Sequence, residues 1–246
     1  MQRNIICSLA VLLVMVISSC ETKLVDTNMS SATDYYPLET GRYVVYLLDS
    51  VIYRETVPTD TISYELKEQI GDAYYDTEGK LTYKIERYTS EPGANEWILR
   101  ETWSASYSNS RLERNEQNLR FIRLISPVVL GAEWDGHVYL GDLSDQPVEE
   151  QCNNLEFLND WEFTYEEVGV PATIGDLQFD ETILVRQTGE QNLIAFNECV
   201  ERYAKGVGLV YRFFRHYTTQ NICPECVWEE NVECGYSVKM TVLYHN

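Results

Sequence analysis

From Pro37 onward, apolar and polar residues alternate with a period of two, and β-branched and aromatic side chains fill the apolar positions. That rhythm predicts strands, because successive side chains of an extended chain point to opposite faces. It is plainest in 42–49 (RYVVYLLD), 61–70 (TISYELKEQI) and 81–89 (LTYKIERYT). In the second run Ile62, Tyr64, Leu66 and Ile70 share one face, while Ser63, Glu65, Lys67 and Gln69 share the other. An antiparallel sheet with one wet side has this pattern. Further strands are predicted at 96–104, 111–115, 119–125, 134–140, 161–168, 181–187, 199–204, 207–218 and 236–245. Gly79 and Gly93 lie between alternating runs, where hairpin turns need a positive φ. The stretch 141–160 breaks the rhythm and is expected to hold a short helix or a long crossing loop. The expected fold is all-β: one curved antiparallel sheet or a partly open barrel.

The first residues follow a different pattern. Arg3 precedes an apolar run from Ile5 to Ile17, which turns polar at Ser18. A transmembrane helix needs roughly 20 apolar residues, so this shorter run reads as a cleaved signal peptide over 1–19. Its ending, Ile17-Ser18-Ser19-Cys20, resembles the lipobox of bacterial lipoproteins. That resemblance implies lipidation of Cys20 and a membrane partner reached through the acyl chains, which together hold a protein on a bilayer. Glu21, where some inner-membrane lipoproteins carry Asp, favours the outer membrane. An ordinary secretory signal cut near Ser19 is the alternative. Residues 20–36 lack periodicity and read as a lipidated flexible tether, leaving 37–246 as a single all-β domain.

Charge narrows the partners. The chain carries 39 acids against 19 bases, a net charge of −20, and loss of the leader with Arg3 makes it −21. Such a field repels nucleic acid and anionic headgroups, so neither is expected as a partner. A hydrophobic content of 44% in 246 residues suffices for one core.

Candidate chemistry is sparse. Five cysteines follow Cys20: Cys152, Cys199, Cys223, Cys226 and Cys234. In an exported chain they are candidates for disulfides, and the odd count leaves one over. A bond from Cys223 or Cys226 to Cys234 would staple the loop between the last two strands. The Cys223-Pro224-Glu225-Cys226 step with Cys234 leaves zinc ligation open, as well as a redox pair. His137, His216 and His245 lie outside any H-E-x-x-H, and no serine sits in G-x-S-x-G. Glu166–Glu167 and Asp180–Glu181 are adjacent pairs that point to opposite faces of a strand, toward solvent rather than a shared substrate. No enzyme activity, metal or cofactor is therefore expected. The 18 Tyr and 5 Trp suit either a sheet core or a groove for a hydrophobic or glycan ligand.

Three stretches carry a further resemblance: Tyr36-Pro37-Leu38-Glu39-Thr40-Gly41-Arg42-Tyr43, Trp134-Asp135-Gly136, and Tyr203 to Tyr211 (YAKGVGLVY). Together they resemble a group of bacterial outer-membrane lipoproteins that has no agreed activity. The last stretch, with the long antiparallel tail after it, also looks like periplasmic lipoprotein-carrier sheets, which implies an incomplete barrel. Asp49-Ser50-Val51 and Asp60-Thr61-Ile62 are similar to the Asp-Ser/Thr-apolar O-glycosylation acceptor of some Gram-negative bacteria, which makes Ser50 and Thr61 candidates. Two functional expectations follow. One is a non-enzymatic binding module for a hydrophobic or glycan ligand. The other is a structural or assembly lipoprotein that contacts another envelope protein.

Overall fold

A computed structural model describes residues 29–54, 57–94, 96–141, 143, 155–159 and 161–246, without the side chains of 57–59. Cys20, the signal peptide 1–19 and Cys152 lie outside these residues. The period-two runs become twelve strands: β1 (Tyr43–Arg54), β2 (Val57–Tyr75), β3 (Leu81–Ser90), β4 (Ile98–Ser108), β5 (Arg111–Glu116), β6 (Leu119–Ile125), β7 (Glu133–Asp135), β8 (Glu162–Ile174), β9 (Leu177–Thr188), β10 (Ala195–Ala204), β11 (Gly208–Thr218) and β12 (Cys234–His245). They form one sheet in the order β6-β5-β4-β3-β2-β1-β12-β11-β10-β9-β8-β7. Two six-strand meanders thus join through the antiparallel β1–β12 pair. The two sheet edges, β6 and β7, are neighbours in sequence.

Those edges come together and nearly close the sheet into a barrel. The Ile122 amide donates to Gly136 O at 2.9 Å, and Trp134 Nε1 donates to Ile122 O at 3.0 Å. The Tyr165 hydroxyl donates to Ile125 O at 2.7 Å and accepts from the Ile125 amide at 2.9 Å. A Cβ at Gly136 would stand 2.5 Å from the Phe163 ring, so only glycine fits here. The Trp134-Asp135-Gly136 step is the seam of the barrel. It also explains why β7 is short: Asp135 Oδ1 accepts from the His137 amide at 2.8 Å and turns the chain, where the pattern predicts strand to 140.

Residues 31–36 correct the expected tether. Ser31 and Asp34 form a capping box on a single-turn helix, α1 (Ala32–Tyr35). The Ala32 amide donates to Ser126 Oγ at 2.8 Å, and the Gly206 amide donates to Asp34 O at 2.6 Å. The Tyr107 hydroxyl lies 2.9 Å from Ala32 O and 2.7 Å from Tyr36 O. Ala32, Tyr35 and Tyr36 are buried in the main core, so this segment plugs one end of the barrel. Gly206 and Gly208 provide the bend beside it with φ of +75° and +119°.

The loop after β11 carries α2 (Trp228–Asn231), and Trp228 packs on a small second core of Tyr53, Tyr217 and Val232. Cys223 and Cys226 are disulfide-bonded to each other, not to Cys234, which is itself disulfide-bonded. Three residues apart, their Cα atoms are 5.4 Å apart, within disulfide reach. The expected staple from this pair to Cys234 is thereby corrected. Cys199, also a disulfide candidate, is a free thiol buried in the barrel. In the rhythm break, residues 156–158 form one 3-10 turn.

Candidate functional site

Inward positions of the strands are not all apolar. Leu66-x-Glu68-x-Ile70 on β2, Ile85-x-Arg87 on β3, Leu112-x-Arg114-x-Glu116 on β5, Phe121-x-Arg123 on β6, Cys199-x-Glu201-x-Tyr203 on β10 and Val210-x-Arg212-x-Phe214 on β11 each set a charge among apolar neighbours of the same face. The barrel gathers these charges at one level. Glu68 lies 3.1 Å from Arg87 and 3.2 Å from Arg114. Glu116 lies 3.2 Å from Arg114, 2.8 Å from Arg123 and 3.9 Å from Arg212. Glu201 lies 3.6 Å from Arg123 and 3.5 Å from Arg212, and accepts the Tyr203 hydroxyl at 2.5 Å.

Taking a charge out of water costs several kcal/mol per ion, so the network holds only because every carboxylate is shared. Burial pushes the Glu116 carboxyl up, but Arg123, Arg114 and Arg212 outweigh it and hold the group well below the usual carboxylate range. The same carboxylates hold Arg114 and Arg123 above the ordinary guanidinium value against their own burial. Cys199 donates to Gln187 Oε1 at 3.3 Å, and burial pushes its thiol up to about 12. It is not a nucleophile near neutrality.

Beyond the network lies a cavity of about 330 Å³. Arg87, Trp103, Glu116, Arg123, Gln187 and Arg212 line its polar end. The rest of the wall is apolar and aromatic and includes Leu48, Phe121, His137, Leu158, Trp161, Phe214, Val238 and Met240. Trp103 and Gln117 also border a shallower groove with Tyr74, Lys84 and Asn118, so the polar end adjoins the surface.

The aromatic wall explains two histidines. His137 Nδ1 bonds Leu158 O at 2.7 Å, with the ring among Phe121, Trp161 and Phe163. His216 Nδ1 bonds Asn197 Oδ1 at 2.6 Å, and its ring stacks on Phe157 at 3.9 Å. Burial lowers both to about 4, so both rings are neutral near pH 7.

The remaining sequence candidates lie apart from the cavity. Glu166, Glu167 and Glu181 form ion pairs with Arg186, Arg202 and Lys205. The Cys223–Cys226 bond takes up the two thiols that zinc would need, and among the described residues no group of three His, Cys, Asp or Glu could hold a metal ion. Ser50 is half-buried in the central strand β1, and Thr61 is exposed on β2. The ion network was missed from sequence, although its signal is visible: a charge flanked two residues away by apolar side chains on a strand.

No family model matches the chain, and no curated protein matches it. A crystal structure from Bacteroides fragilis, of a protein described as exported and as having a YmcC-like fold, matches with 9% identity. The match covers 85% of this chain and 99% of that one, at a TM-score of 0.41.

Proposed function

We propose that this chain is a cell-envelope lipoprotein, held at the outer membrane through Cys20, and that it works without catalysis as a binding module for a small hydrophobic ligand inside the barrel. The cavity is the observation that supports this reading. It is a cleft of about 330 Å³, open to solvent on one side. It also falls within the size range of ligand pockets, and aromatic and aliphatic side chains form most of its wall.

The histidines favour binding over catalysis. Their Nδ1 atoms bond to amide oxygens, where a general base would be oriented by a carboxylate. The outward face of β2, with Ser63, Glu65, Lys67 and Gln69, is the reverse of the apolar band that a transmembrane barrel presents to lipid. Attachment then falls to the anchor at Cys20.

A titration with the neutral fluorophore N-phenyl-1-naphthylamine tests the reading. The wild-type chain is expected to bind it saturably, one per protein, and Val238→Trp, which fills the cavity from β12, to bind it at least about tenfold more weakly. No saturable binding, or equal binding by both proteins, would overturn the proposal.

A further inference from the structure

The cavity's polar end has a definite chemical bias. Gln187 is 1% exposed, and its Oε1 takes bonds from Arg123 and Cys199 while its Nε2 has no partner. Trp103 Nε1 is likewise buried and unpartnered, and so is Trp161 Nε1. All three residues line the cavity, and all three unmatched groups are donors. An unmatched buried donor is costly, and the partner that satisfies it must be an acceptor.

The ion pairs point the same way. Arg87, Arg114, Arg123 and Arg212 have side chains at most 22% exposed, and the carboxylates buried to that degree in the same network are Glu68, Glu116 and Glu201. Glu101, the other partner of Arg87, is 36% exposed at the rim. At 2.6 Å from Arg87 it completes the pairing, so four arginines face four carboxylates. Arg212 is the arginine with donors to spare, because its carboxylate contacts of 3.5 and 3.9 Å exceed hydrogen-bond length.

From these donors and the loosely paired Arg212 we infer that the ligand is an amphipathic organic anion. Its carboxylate or phosphate head sits against Arg212, Arg123 and Gln187 Nε2, and its apolar body lies along Phe214, Trp161 and Met240. The inference rests on the cavity reading above and adds the sign of the head group.

Competition against N-phenyl-1-naphthylamine separates the two claims. The competitors are decanoate, decyl phosphate, decan-1-ol and decylamine, which share one chain and differ in the head. At least one of the two anions is expected to compete about tenfold or more better than decanol, and decylamine worse than decanol. The stronger anion identifies carboxylate or phosphate as the head. Arg212→Gln and Trp103→Phe, the second of which keeps a ring beneath Arg87, are each expected to weaken the anion several-fold and to leave decanol unchanged. Decanol or decylamine equal to the anions, or variants that weaken all heads alike, would overturn the anionic assignment while the cavity reading stands. If the fluorophore itself fails to bind, the cavity reading falls, and the anionic assignment with it.

Discussion

Glu116 is the most heavily shared carboxylate in the barrel, with three arginines within 4 Å. Glu116→Gln leaves those cations facing one another in a buried site, and is expected to destabilise the fold by about 3–5 kcal/mol in urea unfolding. The histidines predict a separate pH effect. Both are lowered to about 4 in the folded chain, against about 6.5 when unfolded. Between those values the unfolded chain binds more protons, so stability is flat above pH 6.5 and is lost as the pH falls toward 4. Glu116, whose folded pKa is depressed, adds a further loss below about pH 4.5. His216→Phe, which keeps a ring on Phe157, should remove about half of the slope between pH 6.5 and 4, and an unchanged slope would contradict the assignment. These charges were legible in the sequence only as exceptions to alternation. The flanks separate Glu68, between Leu66 and Ile70, from Glu65, between Ser63 and Lys67, but the Arg87 and Arg114 partners of Glu68 come from other strands and cannot be read locally.

At the scale of elements, alternation carried the strand assignment because each strand has one face in the core. It overran where a tertiary contact ended the strand, as at Gly136 against Phe163. Gly136→Ala must displace that ring, so a loss of about 1–3 kcal/mol is expected, read from the denaturant midpoint. The plug was not legible at all. A single helical turn has no periodicity to detect, and α1 is held by partners as distant in sequence as Ser126 and Gly206. If residues 31–36 were tether, Tyr36→Ala would be neutral. Buried as it is, Tyr36 is expected to cost about 3–5 kcal/mol on truncation. The lipoprotein-like stretches find their role here as well. Tyr36 fills the lumen end, Arg42 reaches Gly206 O, Leu209 O accepts from the Tyr46 hydroxyl at 2.9 Å, and Trp134 closes the seam. They are devices that shut a barrel, which is why they were uninformative about chemistry.

For the whole molecule, charge is sorted by location. A chain with a net charge of −20 keeps an arginine-rich layer inside its barrel and leaves its excess of acids to the exterior. Composition gives the net charge but conceals this interior. With the plug counted as folded, ten residues, 21–30, lie between Cys20 and Ser31, so the proposed anchor would hold the barrel closer to the bilayer than a tether reaching residue 36 would. Cys20→Ser is expected to move the protein from the membrane to the soluble fraction without changing its ligand affinity. Unchanged membrane association would contradict the anchor. The claim that the barrel holds its ligand inside is tested most directly by methyl NMR during titration with N-phenyl-1-naphthylamine. Shifts are expected at Leu48, Leu158, Val238 and Met240 around the cavity, and not at the exposed Leu99, Leu193 and Leu243. Shifts confined to the exposed set, with the cavity methyls unmoved, would contradict it.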